Sequence, residues 1–242
     1  MKRLIVIIMM VIFIVPCCEG GKKGNKLNII AEYKVKIPEP SDLAFSSDGK
    51  SLWTVSDKNS CVYLISIEGK IIKKFSVDTE DLEGITVLSD TSLAVVSEKN
   101  GEVIFINNNG KEYFRKKLSY NGLDNKGPEG ITFDSQKKNL LIVKENDPRV
   151  IIKYDKKFNE VNRTEIDYLK DLSGIDFIKG TNEIWLVSDE SKSVAKCSSD
   201  GKLKEKYSIP VKQAEGIAVD YKNKKIYIIS DSEEKLYVLE MK

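Results

Sequence analysis

The 242-residue chain contains no histidine. This absence excludes catalytic triads with a histidine base and zinc sites with histidine ligands, so any proton transfer would use carboxylates, lysine, tyrosine or water. Net charge is nearly absent too, since 39 basic and 37 acidic residues leave a formal charge of +2. That balance gives no general attraction to nucleic acid or to an anionic lipid surface. The hydrophobic content of 41% is ordinary for a folded domain.

Cysteine is scarce as well, with four residues in the chain. Cys61 and Cys197 fall in strand-like runs that belong to non-adjacent sequence repeats. Repeat geometry gives the two sulfur atoms no reason to meet. We therefore predict two buried free thiols and no disulfide between them.

A long apolar run occurs at the N-terminus, where two basic residues precede residues 4–15. This pattern predicts an export signal over residues 1–18, because the run is short for a membrane span. The pair Cys17-Cys18 at its end resembles the cleavage site of bacterial lipoproteins. We favour lipidation of Cys18, with Cys17 as the second candidate. Ordinary secretion and an uncleaved N-terminal anchor are the alternatives.

A lipid on either cysteine would hold the exported protein at the cell envelope, on the inner or the outer membrane. The segment that follows, residues 19–27, is rich in Gly and Lys and is predicted to be a flexible tether. Residues 28–242 are then expected to form a single domain.

A tripeptide motif, which we call the phrase, recurs through this domain at intervals of 42 to 46 residues. Each copy opens a set of short β-rich runs separated by Gly, Asn and Asp turns, with four runs to a repeat. Four-stranded units at a period of about 43 residues indicate a β-propeller. The copies are Ser41-Asp42-Leu43, Glu83-Gly84-Ile85, Glu129-Gly130-Ile131, Ser173-Gly174-Ile175 and Glu215-Gly216-Ile217.

The number of blades follows from the strand count. Five copies of strands one to three are present, but the last copy has no fourth strand after it. The segment 29–37, which precedes the first phrase, has the composition of a fourth strand. We therefore predict an all-β fold, a β-propeller of five four-stranded antiparallel blades. Its ring would be closed by this N-terminal strand, which completes the last blade.

Acidic residues follow the phrases at a fixed spacing of 15 or 16 residues: Asp57, Glu98, Glu145, Asp189 and Asp231. In a propeller blade the first strand lines the channel and the second strand returns. The start of the first strand and the end of the second therefore meet at one mouth of the channel. Three repeats carry an acid at both positions. These acids are our predicted metal ligands: Glu83, Glu98, Glu129, Glu145, Glu215 and Asp231.

Carboxylates gathered in this way raise one another's pKa or require a counter-charge. Three arrangements would satisfy them: N–H groups of the neighbouring blade acting as structural caps, neutralisation by Lys144, or a bound hard cation. Ca²⁺ takes six to eight oxygen ligands in irregular geometry, whereas Mg²⁺ prefers a strict octahedron with fewer protein ligands. Calcium is therefore the expected cofactor.

Further side chains near the same mouth are candidate contacts for a ligand. The longest connection, residues 119–127, opens there, although a Gly- and Asn-rich loop is equally explained as a tolerated insertion. The candidate ligand-binding residues are Asp57, Asp189, Lys144, Arg149, Tyr120 and Asn121.

The repeated Glu-Gly-Ile, followed by an apolar strand that ends in Ser-Asp or Ser-Glu, resembles the SdiA-regulated family of bacterial propellers. The resemblance covers most of residues 28–242, and the family is similar to the NHL-like and phytase-like propellers. It implies an exported or envelope protein with an acid-rich channel and a place for calcium. Ser41-Asp42 and Ser173 depart from the pattern, which puts equivalent ligation by the first and fourth blades in doubt.

Two functions fit these observations. We favour a monomeric, envelope-anchored binding propeller without catalysis, which recognises a small molecule, a glycan or a protein at its acidic mouth and has no nucleic-acid partner. The alternative is a calcium-dependent hydrolase of a phosphate ester or a lactone, with Glu83, Glu129 or Glu215 as ligand or base. Against a phosphate ester, the mouth shows few cations, Lys144 and Arg149 being the obvious ones.

Overall fold

The structure is a computed structural model that describes residues 25–118 and 127–241. Among these residues lie 21 strands, and none of the residues is helical. Accordingly, the described part of the chain has no helix with the length and hydrophobicity needed to cross a membrane. Two strands precede the first blade in the chain, β1 (Asn25–Lys26) and β2 (Asn28–Lys34).

Five antiparallel sheets form the blades, and the first four blades each take four consecutive strands. Blades 1 and 2 contain β3 (Pro40–Phe45), β4 (Ser51–Ser56), β5 (Cys61–Ser66), β6 (Ile71–Ser76), β7 (Leu82–Ser89), β8 (Ser92–Ser97), β9 (Glu102–Asn107) and β10 (Glu112–Lys117). Blades 3 and 4 contain β11 (Pro128–Asp134), β12 (Asn139–Lys144), β13 (Val150–Tyr154), β14 (Glu160–Glu165), β15 (Gly174–Ile178), β16 (Glu183–Ser188), β17 (Ser193–Ser198) and β18 (Leu203–Ser208). Blade 5 contains β19 (Ala214–Asp220), β20 (Lys225–Ser230) and β21 (Lys235–Glu240), with β2 as its fourth strand.

Strand β2 closes the ring, as the sequence predicts. It pairs antiparallel with β21, from Asn28 opposite Glu240 to Lys34 opposite Lys235. The chain then runs directly into blade 1, and the fully buried side chains of Val35 and Ile37 pack between blades 5 and 1. The prediction of five four-stranded antiparallel blades is confirmed.

The boundary predicted for the tether is wrong at its C-terminal end. Composition places residues 25–27 in the tether, but β1 pairs parallel with β18 at the outer edge of blade 4. Leu27 is fully buried, and its N–H donates to the carbonyl oxygen of Ser208 at 3.1 Å. A buried leucine and a free strand edge outweigh the local Gly and Lys content, so these residues belong to the folded part.

The apolar core is divided among the blade interfaces. Five clusters of buried side chains occur, one between each pair of neighbouring blades. The second strand of a blade is buried on both faces, as in β16, while outer strands such as β18 alternate exposed and half-buried residues. Cys61 and Cys197 are buried free thiols at different interfaces, which confirms their prediction.

The first strands of the blades, β3, β7, β11, β15 and β19, pack against one another around the axis. The phrase glycines lie where these strands come closest. A Cβ on Gly216 would fall 2.4 Å from the Cα of Asp42, and one on Gly174 would fall 2.7 Å from the carbonyl oxygen of Glu215. Side chains are excluded there because the neighbouring backbone occupies the space.

We expect Gly216→Ala to lower the free energy of unfolding by about 3 kcal/mol or more, because the added methyl group meets rigid backbone of the next blade. The control is Gly180→Ala, a turn position with nothing within 4 Å and a φ of +88°. There the cost is roughly 1–2 kcal/mol from the left-handed backbone alone. Urea unfolding of both variants measures the difference, and equal losses would contradict the packing argument.

Candidate functional site

Backbone hydrogen bonds bring the phrase and its downstream acid to the same mouth of the channel. The N–H of Glu98 donates to the carbonyl oxygen of Asp81 at 2.9 Å, and the N–H of Asp231 donates to that of Gln213 at 3.1 Å. The first strand therefore starts where the second strand ends. We call this end of the channel the acidic mouth, formed by Asp57, Asp81, Glu83, Glu98, Glu129, Glu145, Asp189, Glu215 and Asp231.

Three of these acids, Asp57, Asp81 and Glu83, make the tightest group. One carboxylate oxygen from each lies within 4.8 Å of the other two. Asp57 follows β4 of blade 1, whereas Asp81 and Glu83 flank the start of β7 in blade 2, so the group bridges two blades. Asp81 has a φ of 62°, a left-handed conformation that a non-glycine residue adopts at a cost.

Asp81 is a functional candidate that the repeat pattern misses. It stands two residues before Glu83, outside the repeated tripeptide, and so it does not fall among the acids predicted for the ring. A signal for it exists in the sequence, because Asp171 and Glu39 are acidic at the same distance from their own phrases. The predicted residues Asp57 and Glu83 lie close together. The repeat pattern predicts Asp57 as a contact for an organic or protein ligand and Glu83 as a metal ligand.

Other acids at the mouth act as caps on the next blade. The carboxylate of Glu98 in blade 2 accepts the N–H of Gly127 at 2.9 Å, at the start of blade 3. Asp189 in blade 4 accepts the N–H of Ala214 in blade 5 at 3.4 Å, a long hydrogen bond. These contacts match structural capping, one of the three arrangements that the sequence allows.

Asp231 of blade 5 lacks such a contact. The position in blade 1 that corresponds to Ala214 is Pro40, which has no N–H to donate. Within residues 25–118 and 127–241, Oδ1 of Asp231 is buried without a hydrogen-bond partner. An unpaired buried acceptor is costly, so this oxygen has capacity for a ligand.

The centre of the channel is filled by Asp42, which takes the place of the phrase glycine in blade 1. Its side chain is fully buried. It accepts N–H groups from Leu43 at 2.8 Å, from Ile85 at 2.9 Å and, more weakly, from Ile131 at 3.4 Å. Blades 1, 2 and 3 are thus tied together at the axis by one carboxylate, a role that the repeat pattern does not predict.

The two predicted cations lie beside backbone carbonyl groups. Lys144 is buried, and its Nζ donates to the carbonyl oxygens of Asn146 and Asp147, the latter at 3.0 Å. Arg149 donates to the carbonyl oxygens of Ile166 and Lys170 and lines a separate cavity of about 550 Å³ between blades 3 and 4.

Four further predicted residues, Tyr120, Asn121, Cys17 and Cys18, lie outside the described residues. Their assignments as ligand contacts and as lipidation sites stay predictions.

A family model described as SdiA-regulated matches residues 29–240 of the chain. The chain belongs to the SdiA-regulated family. The match spans all five blades, and it confirms the resemblance drawn from the repeated phrase.

Solved structures show the fold of this SdiA-regulated propeller in other proteins. Virginiamycin B lyase from Staphylococcus aureus is 19% identical, with a TM-score of 0.53 over 88% of this chain and 70% of that one. Its catalytically inactive variant, in which a histidine is replaced by alanine, was solved with quinupristin. That structure gives a TM-score of 0.54 at 19% identity, over 84% of this chain and 66% of that one. A chain of the nidogen/laminin complex is 17% identical, with a TM-score of 0.58 over 84% and 80% of the two chains. At these identities the likeness shows the fold alone.

Burial and mutual repulsion raise the pKa values at the acidic mouth of this SdiA-regulated propeller. The pKa of Glu83 rises to about 9, mainly through burial. Repulsion from Asp57, Asp81 and Glu98 adds to this rise in pKa, while a hydrogen bond with Ser41 opposes it. Burial and a hydrogen bond shared with Asp81 raise the pKa of Asp57 to about 6.

The far side of the acidic mouth shows the same effect. Burial, followed by repulsion from Asp231 and Asp189, raises the pKa of Glu215 to about 8. Burial also raises the pKa of Glu129 well above its usual range, with added repulsion from Glu83 and other acids. These carboxyl groups therefore retain their protons to higher pH than exposed carboxyl groups do.

The stability of the protein in chelator should fall as pH rises from 5 to 9. The cited carboxyl groups have higher pKa values in the fold than the value near 4 of an unfolded chain, so the fold binds more protons. Stability is then full below the unfolded pKa. It is lost as pH rises through about 6 for Asp57, about 8 for Glu215 and about 9 for Glu83.

Thermal melting in EDTA measures this fall, and Glu83→Gln should flatten it between pH 7 and 9, where each kcal/mol corresponds to about 2–4 °C. The control is Glu165→Gln, an exposed acid on β14, which should keep the slope of the native protein. A melting temperature that stays constant or rises from pH 5 to 9 would show that the carboxyl groups of the acidic mouth do not have raised pKa values in the fold.

Proposed function

We propose that this SdiA-regulated propeller is a binding protein whose acidic mouth holds a divalent cation, with calcium as the preferred ion, and presents it to a ligand. The observation that carries the proposal is the convergence of Asp57, Asp81 and Glu83 from two blades. No catalytic step is assigned to the chain.

The donor set suits calcium. Two oxygens bound to one Ca²⁺ ion lie within about 5 Å of each other, because each Ca–O bond is about 2.3–2.6 Å long. The three carboxylate oxygens meet this limit at 4.8 Å. All the side-chain donors are hard oxygens, three carboxylates supply up to six of them, and the ion tolerates irregular geometry. The donors are placed from two sides, by the end of β4 in blade 1 and by the start of β7 in blade 2.

The acids that neighbour this group also favour a bound cation. The negative charge of Asp231 contributes to the raised pKa of Asp57, so the two groups share one electrostatic environment. Oδ1 of Asp231, which has no hydrogen-bond partner among the described residues, is a second feature that a cation would satisfy, directly or through a water molecule. A bound ion would replace the protons that otherwise relieve the repulsion in this group.

Catalysis has weaker support. The staphylococcal lyase is described as inactive when a histidine is replaced by alanine, and the present chain has no histidine to supply such a group. For a calcium-dependent phosphoesterase, cations should flank the metal. Lys144 is buried beneath its own loop, and Arg149 lines another cavity.

Attachment to the cell envelope is the second part of the proposal. Its support is the sequence pattern of residues 1–18, in which an apolar run ends in Cys17-Cys18. A lipid on Cys18 would anchor the propeller, and residues 19–24 would then link the anchor to β1.

Calcium should raise the melting temperature and should bind with release of protons at pH 7. Saturation at about 100 times Kd stabilises the fold by about 2.7 kcal/mol, and the release follows because the raised carboxyl pKa values leave protons to be displaced. Calorimetric titration in buffers of different ionisation enthalpy measures both affinity and proton release. Asp81→Asn and Glu83→Gln should each weaken binding at least about tenfold.

The matched control for this titration is Asp78→Asn, which removes the same charge three residues from Asp81 at an exposed position. It should bind calcium like the native protein. The calcium proposal fails if the ion gives no heat and no shift in melting, or if Asp78→Asn weakens binding as much as Asp81→Asn.

Expression of the full chain in a bacterial host with labelled palmitate should yield a labelled protein in the membrane fraction. We expect Cys18→Ser to abolish the label and release the protein from membranes, whereas Cys17→Ser keeps both. Label retained in Cys18→Ser and lost in Cys17→Ser would move the site to Cys17. Absence of label from the native protein would overturn lipid anchoring and leave the calcium proposal untouched.

A further inference from the structure

A second cavity, of about 730 Å³, opens at the other end of the channel. The turns that follow the first strand of each blade surround it, and all five blades contribute. We call this end the turn-side mouth. Asp42 and the contacts among the first strands fill the axis between the two mouths, so the cavity is separate from the acidic group described above. Its volume lies in the range of small-molecule sites.

One carboxylate faces this cavity from its inner end. Asp176 on β15 lines the cavity, and the residue as a whole is half-buried. Its Oδ2 accepts the N–H of Val219 at 2.8 Å, which fixes the side chain against blade 5. On the blade 3 side of β15, the hydroxyl oxygen of Thr132 accepts the N–H of Phe177 at 3.0 Å. The floor is therefore built by side chains that pair with free edges of the first strands.

The charges around Asp176 favour a cation. The carboxylate of Asp42 lies behind the floor, close enough that Asp176 contributes to the raised pKa of Asp42. The lysines that line the cavity, Lys179 and Lys222, belong to exposed turns at its rim. Among the described residues, the deep end thus carries carboxyl groups and no lysine. Burial raises the pKa of Asp176 to about 7, and an ammonium group beside it would favour its ionised, negative form.

The walls favour an organic cation over a bare metal ion. Phe45 and Phe133 line the cavity and are half-buried, so they offer apolar surface to a ligand. Phe133 already holds the Nζ of Lys138 at 5.6 Å from its ring centre. The other acids that line the cavity, Asp48, Asp90 and Asp220, lie at or beyond the ends of the first strands, so Asp176 alone supplies few of the oxygens that a calcium ion needs at the inner end.

We propose that the turn-side mouth binds a small organic amine, with the ammonium group on Asp176 and the apolar part against Phe45 and Phe133. The ammonium supplies donors to the carboxylate and places its charge in the negative end of the cavity. The rest of the molecule fills a space that is too large for an ion alone.

The test compares tyramine with tyrosol, which has a hydroxyl group in place of the ammonium group. Saturation-transfer NMR with the native protein in EDTA should show tyramine binding with Kd near or below about 1 mM and tyrosol binding at least about tenfold more weakly. In Asp176→Asn, tyramine should lose at least about tenfold in affinity while tyrosol is unchanged. The amide oxygen of the new side chain still accepts the Val219 N–H, which favours a retained fold.

Two controls separate this site from other carboxylates. Asp90→Asn removes an exposed acid at the rim of the same cavity, and Glu83→Gln removes one at the acidic mouth; both should leave tyramine binding intact. Equal binding of tyramine and tyrosol, no binding of tyramine, or a loss that follows Glu83→Gln would overturn the proposal. If Asp176→Asn fails to fold, Ser89→Trp at the exposed rim of the cavity replaces it in the test. Tyramine binding that is unchanged in Ser89→Trp would also overturn the proposal.

Discussion

The first strands of the five blades approach one another so closely that backbone meets backbone at the axis. Each of these strands has one edge paired with its own blade and one edge facing the channel, where N–H groups need acceptors. Asp42, Thr132 and Asp176 supply acceptors to the edge of a following blade. The polar side chains near the axis therefore satisfy strand edges that no neighbouring strand pairs with.

The close approach of neighbouring blades also explains where carboxylates are left without hydrogen-bond donors. Acids after the second strands reach across to the start of the next blade, as Glu98 and Asp189 do. This arrangement needs a donor on the other side. At the junction of blades 5 and 1, Pro40 stands at the position of Ala214 and has no N–H to donate. Within the part of the chain that the structure describes, Asp231 keeps a buried oxygen without a hydrogen-bond partner. Near Asp231, the carboxylates of Asp57, Asp81 and Glu83 lie close together. The carboxylates that most need a counter-charge or a donor therefore lie around blade 1, beside the junction that closes the ring.

The repeat pattern is sufficient to predict the architecture, because strand pairing and ring closure depend on local alternation and turn residues. The segment 29–37 is placed correctly in blade 5 for this reason. The location of the acidic mouth is also predicted, because the hairpin of the first and second strands in each blade determines which strand ends lie at the same end of the channel. Asp42 is not predicted because its role arises from contacts between blades, which no spacing within one repeat encodes. Asp81 is not predicted because it lies outside the repeated tripeptide, and an acid at its position recurs only as Glu39 and Asp171.

The number of donors around each carboxylate separates structural acids from those that can take a ligand. Asp171 accepts two serine hydroxyl groups and the N–H groups of Asp189 and Glu190, so its charge is fully used within blade 4. Asp42 accepts three N–H groups and is closed to solvent. Asp176 accepts the N–H of Val219 and borders a cavity. Because a carboxylate offers about four acceptor positions, Asp171 has no shortfall of donors, Asp42 has a small one and Asp176 has a larger one. Ligands are expected where this shortfall is largest.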